Sequence, residues 1–486
     1  MRFGLAALAD ALGAAQVSGA RDENVAVTSV SHDSRNVTPG ALYCCVRGSH
    51  FDGHDFAADA ASKGASALLV ERRVDVAVPQ LLVPRVRLAM GPAASLILGE
   101  PSKKLDVIGV TGTNGKTTTV HLLGSILRRD GRLVETHGTL TGARTTPEAP
   151  ELQERLADAV DRGVRFVAME VSSHALDLHR VDGTRFSVAI FTNLGHDHLD
   201  HHGDLERYFE AKARLFSSAF TAVAVINVDD PYGLRLADET DRTGDVEVVR
   251  VSSSDAVGLH LDGPEAQFEW RGVQVALHLA GRHNVLNALV AAAAAAVVGC
   301  DPVDIADALC AAKPPRGRFE LVNVGQPFHV AVDYAHTPDA LAAVLEAGRE
   351  SRGSPEGRVL LVFGCGGDRD RAKRGPMGRA AVDGADLVIV TNDNPRSEHP
   401  ARIIDEILRG IPGGSDHPRV RVEPDRALAI AEAISRARPG DVVVIAGKGH
   451  ETEQIIGECT VAFDDREAAL GPLRSWLEGV AGGGPT

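Results

Sequence analysis

Lys116 and Thr117 stand inside DVIGVTGTNGKTTTVHLLGSIL, residues 106–127, where an apolar run, a glycine-rich loop and a second apolar run follow one another. That order predicts strand, loop and helix. The backbone N–H groups of such a loop and the positive end of its helix cradle phosphates. A lysine there neutralises the group being transferred, and a neighbouring hydroxyl reaches magnesium. Gly112, Thr113, Asn114, Gly115, Lys116, Thr117 and Thr118 are therefore the candidate nucleoside triphosphate site, with ATP and Mg2+ as expected cofactors. Val110 stands where the strict GxxxxGK[ST] pattern has its first glycine, so the loop is a variant form. An ordinary strand-turn-helix with a surface lysine explains less of the stretch. No Asn-Lys-x-Asp guanine reader accompanies the loop, and GCGGDRD near Gly364 has Arg369 where a dinucleotide fingerprint needs its third glycine.

Other groups sit where strands are expected to end. RFVAMEV closes near Glu170, and VAIFTNLGHDHLDHHG carries His198 with several acidic groups. A magnesium ion bridging phosphates wants oxygen ligands in such places; Glu170 fits that need, and histidine is a less usual ligand. By residue type alone, His201 and His202 are solvated, and Lys212 in YFEAKARLF is an exposed helix lysine. TNDNPRSEHP, residues 391–400, lies between the strand-like ADLVIV and the helix-like ARIIDEIL. Loops beyond the carboxyl ends of parallel strands bind ligands, yet taken alone this one reads as a turn fixed by Pro395, with Arg396 facing water.

These residues need elements to position them. At 486 residues the chain is too long for one ordinary core. With 44% apolar and 24% charged residues it reads as globular, and a formal net charge of -15 argues against generic nucleic-acid binding. The six cysteines form no CxxC pair and read as reduced thiols of a cytoplasmic protein. MRFGLAALADALGAA is broken by Asp10; Phe3, Leu5, Leu8 and Leu12 fit a helix face better than a secretion signal. The run beginning at Ala288 is short of the ~20 residues a membrane span needs and reads as a buried alanine-rich helix.

Punctuation divides the chain into three α/β domains. Residues 1–103 form a small mixed domain closing in the polar linker EPSKKLD. Residues 104–315 form a central phosphate-loop domain with a parallel sheet, and 316–486 a Rossmann-like C-terminal domain. KPPRGRFE is the expected hinge between the last two, because two prolines cannot sit within a helix or central strand.

TGTNGKTT, EVSSHAL, TNLGHDHLDHHG, YFEAKARLF, GRHNVLNA, VDYAHTPDAL, GCGGDRDRAKRGPMG, TNDNPRSE and AGKGHE occur in this order. Together with DSRNVTPGALYCCVRG in the first domain, they resemble the Mur ligases of peptidoglycan synthesis over nearly the whole chain. Within that family the match is to the branch that adds the third residue of the stem peptide.

The resemblance implies a first domain that holds the uridine nucleotide with Ser34, a central domain that binds ATP, and a third that delivers the amino acid. Asn284 and Asp333 match residues around ATP. Glu170, His198 and Lys212 match metal ligands, the lysine as a carbamate. Thr145, Thr146, Ser172 and Arg180 match contacts to UDP-N-acetylmuramoyl-L-Ala-D-Glu. Arg369, Asp393, Asn394, Pro395, Arg396, Gly447 and Glu451 match the amino-acid site. Arg144 and Leu178 depart from the pattern, where relatives often have asparagine and a polar side chain, so no contact carries over at those positions. DNPR goes with meso-diaminopimelate in the family. An arginine fork suits the distal carboxylate of that amino acid and repels the ammonium tip of lysine. The expected reaction is acyl phosphate formation followed by amide formation, in a monomer without a membrane span. A folylpolyglutamate synthetase-like ligase shares the ATP machinery but not the first domain or DNPR. A non-catalytic ATP-binding regulator is the alternative of another class.

Overall fold

The computed structural model describes residues 2–17, 25–48, 50–142 and 144–482. Three sheets organise the chain. The first has the order Ala15–Val17, Gln80–Leu82, Ala67–Val70, Ala41–Cys44, Ser29–Ser31, parallel except for the antiparallel edge at Ala15–Val17. Its short apolar strands are buried, and the helices Leu5–Leu12 and Val86–Ile97 cover one face. Leu5 and Leu8 point into that core as the sequence pattern requires, whereas Phe3 belongs to a short strand paired with Val27. EPSKKLD is not a free linker. Pro101–Lys103 form a helical turn with Pro101 and Ser102 buried, and the Ser102 hydroxyl accepts from the Arg185 N–H. The joint is packed.

The central sheet is wholly parallel, in the order Glu247–Val251, Val223–Asn227, Val188–Phe191, Asp106–Thr111, Phe166–Glu170, Val134–His137. Asp106–Thr111 lies between strands that follow it by different routes, which makes the loop beyond it the switch point where such sheets bind ligands. Above one face, the helices Lys116–Leu127 and Arg282–Val297 pack together. Six consecutive alanines, Ala291–Ala296, let the second helix approach closely, five of them buried. The parallel pattern expected here is incomplete: Val257–Asp262, Glu265–Trp270 and Val273–Leu277 form a separate antiparallel sheet whose inward face joins the same core.

The C-terminal sheet runs Glu320–Leu321, His329–Asp333, Val442–Ala446, Val359–Phe363, Leu387–Val390, Val420–Val422, parallel except for its first strand. Helices cover both faces, as buried parallel strands demand. No helix among the described residues is long and apolar enough to cross a membrane.

Candidate active site

Register brings the first residues together. Val110 pairs with Glu170 on one side and with Ile190 on the other, so three strands end around one loop. Asn193 shapes that loop, its carbonyl accepting from the Thr113 N–H at 2.9 Å and its side chain from the Asn114 N–H at 2.9 Å. Gly115 opens the helix at φ +85°, and a Cβ there would lie 2.2 Å from Asn287 Oδ1, so both backbone shape and space require glycine. The Lys116 ammonium folds back onto the Gly112 and Thr113 carbonyls, at 2.8 Å each. Burial lowers its pKa, against the pull of Glu170 and Asp197.

Glu170 is almost wholly buried. It accepts from the Thr117 hydroxyl at 3.0 Å and from Thr139 through its N–H at 2.8 Å and its hydroxyl at 3.2 Å. Among the described residues it has no ion-pair partner, and a buried carboxylate without one calls for a cation. Lys212 is not the exposed helix lysine its surroundings in sequence predict: it is 1% exposed, lies 4.4 Å from the Tyr208 ring centre and donates to the Gly112 carbonyl at 2.8 Å. Burial first, then Lys116, push its pKa well below the ordinary lysine range. His198 has a left-handed backbone at φ +55°, and its ring lies against Asp197 at 3.3 Å. Desolvation brings its pKa down to about 3. His202, expected in solvent, is buried with its ring nitrogen 3.0 Å from the Ser173 hydroxyl.

A cleft of about 760 Å³ separates this loop from the C-terminal domain. Asn284, Asp333, Thr145 and Ser172 line it, as do Arg369, Asp393, Asn394, Arg396, Gly447 and Glu451 on the far wall. Arg396 is held in a left-handed conformation, φ +53°. Its N–H donates to the Ile455 carbonyl and its carbonyl accepts from the Gly457 N–H, while its guanidinium donates to the Gly367 carbonyl at 2.8 Å. The side chain that read as facing water is thus aimed along the cleft wall. Asn394 donates to Glu451 at 2.7 Å, and Lys448, fully buried, donates to both. Burial raises the pKa of Asp393 despite Arg426 and Lys448 nearby.

Known proteins resemble this chain over most of its length. Residues 110–295 match the Mur ligase middle domain, 317–449 the Mur ligase glutamate ligase domain, and 26–97 the Mur ligase catalytic domain. A UDP-N-acetylmuramoyl-L-alanyl-D-glutamate--2,6-diaminopimelate ligase of Solibacter usitatus is 44% identical, covering 93% of this chain and 94% of its own. The chain belongs to the Mur ligase family. A protein of the same description from Streptomyces coelicolor is also 44% identical, covering 95% of both chains. A solved structure of such a ligase superposes on this Mur ligase with TM-score 0.70 at 32% identity, over 98% of this chain and all of the other.

Not every candidate reaches the cleft of this Mur ligase. Ser34 is buried in the first domain, where its carbonyl accepts from Lys63. Thr146 is buried and donates to the Glu170 carbonyl, Arg180 pairs with Glu148, and Gly112 and Pro395 lie behind the residues that line the cavity. Conversely, Arg318 was legible only as part of a hinge, yet its guanidinium donates to the Thr117 hydroxyl at 3.1 Å from 201 residues away. Asp197 meets His336 at 3.6 Å and Lys373 at 3.7 Å across the domain boundary. Burial pushes its pKa up, but His336, His198 and Lys373 together hold it well below the carboxylate range.

The donor set suits magnesium. Thr117 and Glu170 offer hard oxygens beside the phosphate loop, and among the described residues Glu170 has no ion-pair partner in contact with it. Among the described residues no group of three or more His, Cys, Asp or Glu is placed to hold an ion.

Proposed function

We propose that this chain uses ATP to join meso-diaminopimelate to UDP-N-acetylmuramoyl-L-Ala-D-Glu, releasing ADP and phosphate. The observation that carries the reading is the opposition of two walls of one cleft. One holds Lys116, Thr117 and Glu170; the other holds Arg396 beside Asp393, Asn394 and Glu451.

A carboxylate of the muramoyl dipeptide attacks the γ-phosphorus of ATP, ADP leaves, and an acyl phosphate forms. Two anions approach only where positive charge stands between them, and Lys116 supplies it once its ammonium leaves the Gly112 and Thr113 carbonyls. Thr117, Glu170 and His198 would hold magnesium, which when bound neutralises phosphate charge. Lys212 would serve as a carbamate, because a buried amine beside a second cation gains by becoming an anion. On the far wall, Arg396 receives the distal carboxylate of diaminopimelate, and Asp393 and Glu451 receive its distal ammonium. The proximal amine attacks the acyl carbonyl, and the tetrahedral intermediate expels phosphate to leave the amide. Asp197 with Lys373 and His336 holds the two domains together, which aligns the amine and excludes water.

Phosphate release is the test, with UDP-N-acetylmuramoyl-L-Ala-D-Glu and ATP present and meso-diaminopimelate, lysine or ornithine added in turn. Release that depends on both the dipeptide and diaminopimelate is expected. Efficient turnover with lysine would overturn the assignment, and release independent of either co-substrate would overturn the ligase reading itself.

A further inference from the structure

The loop from Asp393 to Arg396 follows the strand Leu387–Val390 and has a second support outside that sheet. Glu453–Ile456 and Cys459–Ala462 form a separate two-stranded hairpin. Such a pair is marginal by itself in water. Gln454 is the one buried residue of its two strands; the other positions are exposed or half-buried. A hairpin that buries an amide in place of an apolar side chain is held by hydrogen bonds, since a buried amide left unpaired costs free energy.

Those bonds run to the loop. Gln454 Nε2 donates to the Asp393 carbonyl at 2.8 Å, and the Ile455 N–H donates to Asn394 Oδ1 at 2.9 Å. The Arg396 N–H donates to the Ile455 carbonyl at 3.0 Å, and the Gly457 N–H to the Arg396 carbonyl at 2.7 Å. Arg396 and Ile456 make a parallel bridge, so the hairpin lends the loop a strand edge. Arginine disfavours the φ of +53° it has here. A residue in that region persists where its surroundings over-determine it, and the hairpin holds both its N–H and its carbonyl. The Asn394 amide is fixed in the same way. Its oxygen accepts from Ile455 and from Lys448 at 3.3 Å while its nitrogen donates to Glu451 at 2.7 Å, so a flipped amide would set donor against donor. Lys448 also donates to the Glu453 carbonyl at 2.6 Å, which ties down the start of the hairpin.

We propose that Gln454 is a positioning residue for amino-acid selection: through the Asp393 carbonyl it fastens the hairpin to the loop and so sets where the Arg396 guanidinium stands. Gln454 itself does not line the cleft. The proposal deepens the reading in which Arg396 receives the distal carboxylate, and rests on it.

The test is Gln454→Met in the full chain, which keeps the length of the side chain and removes its donor. Hydrogen exchange read by mass spectrometry should show the Arg396 and Gly457 amides exchanging about tenfold faster than in the wild type, with the phosphate loop unchanged. The KM for meso-diaminopimelate should rise about tenfold and the KM for ATP should stay the same, while the preference for diaminopimelate over lysine narrows. Added to Arg396→Ala, the substitution should cost little more, because the contact it positions is already gone. Should Gln454→Met lower Tm, this double-mutant cycle keeps the test valid, since a general loss of fold costs the same in both backgrounds. Unchanged exchange at Arg396 and Gly457, or an equal cost with and without Arg396, overturns the positioning role. A wild type that turns over lysine as readily as diaminopimelate overturns the substrate reading instead, and the exchange rates still decide whether Gln454 holds the loop.

Discussion

Lys116 and Lys212 donate to one and the same carbonyl, that of Gly112, each at 2.8 Å. Burial and the neighbouring Lys116 push the Lys212 pKa well down, which favours its neutral amine; on adding to CO2 that amine forms an N–C bond and releases one proton to leave a carbamate anion. Lys116 is then free to face phosphate, and a carbamate oxygen faces the metal side of the loop.

The native mass of the protein in bicarbonate is therefore expected to carry one added CO2 that is absent from Lys212→Ala. The kcat of Lys212→Ala should fall about a hundredfold or more, and Lys212→Arg, which forms no carbamate, should fare no better. Full activity of the wild type in CO2-free buffer would count against the modification.

Arg396→Ala should raise the KM for meso-diaminopimelate by roughly ten- to a hundredfold, the worth of one charge-assisted contact. The KM for ATP should be unchanged, since the phosphate loop lies on the opposite wall. Discrimination against lysine should narrow in the same variant, and steady-state kinetics with both amino acids reads it directly. Equal loss for ATP and diaminopimelate would mean that the loop collapsed rather than that a contact was lost.

The loop carrying Arg396 is tied down by Glu398, which accepts from the Asp368 N–H of the GCGGDRD loop at 2.7 Å and from the buried Arg374 at 2.7 and 2.9 Å. That arginine holds the Glu398 carboxyl down to about 2, from an ordinary value of 4.5. A depressed folded-state pKa contributes stability that is present above the unfolded value and is lost as pH falls through the folded one. The tie should thus be complete above about pH 5 and disappear towards pH 2. Urea midpoints measured across this range should fall less steeply in Glu398→Gln than in the wild type. Identical slopes would show that the pair contributes nothing to acid sensitivity.

Local patterns were enough for the phosphate loop. TGTNGKTT needs only the strand before it and the helix after it, and register alone then sets Glu170 beside Val110. The same holds for the alternation of strands and helices that gives three α/β domains. Family resemblance supplied the roles of Lys212 and Arg396, which residue type alone assigned to solvent. Arg426 shows the limit: it is buried, paired with Asp465 through two contacts of 2.7 Å, and donates to the carbonyls of Asn392 and Ala446 behind the loop that carries Arg396. Nothing in RALAIAEAIS marks that arginine off from a surface one.

What the sequence determined by itself was what short-range backbone geometry dictates: which runs become strands, where a glycine must stand, and which loop meets phosphate. What the tertiary structure decided was charge. Lys212 became a buried amine of lowered pKa, Glu170 a buried carboxylate with hydroxyl and N–H donors but no ion-pair partner among the described residues, Arg318 a neighbour of Thr117, and Arg87 of the first domain a partner of Glu148 in the second. The reason is physical. The state and reach of a charged group depend on the dielectric and the charges within a few ångströms of it, and here those neighbours come from segments far apart along the chain.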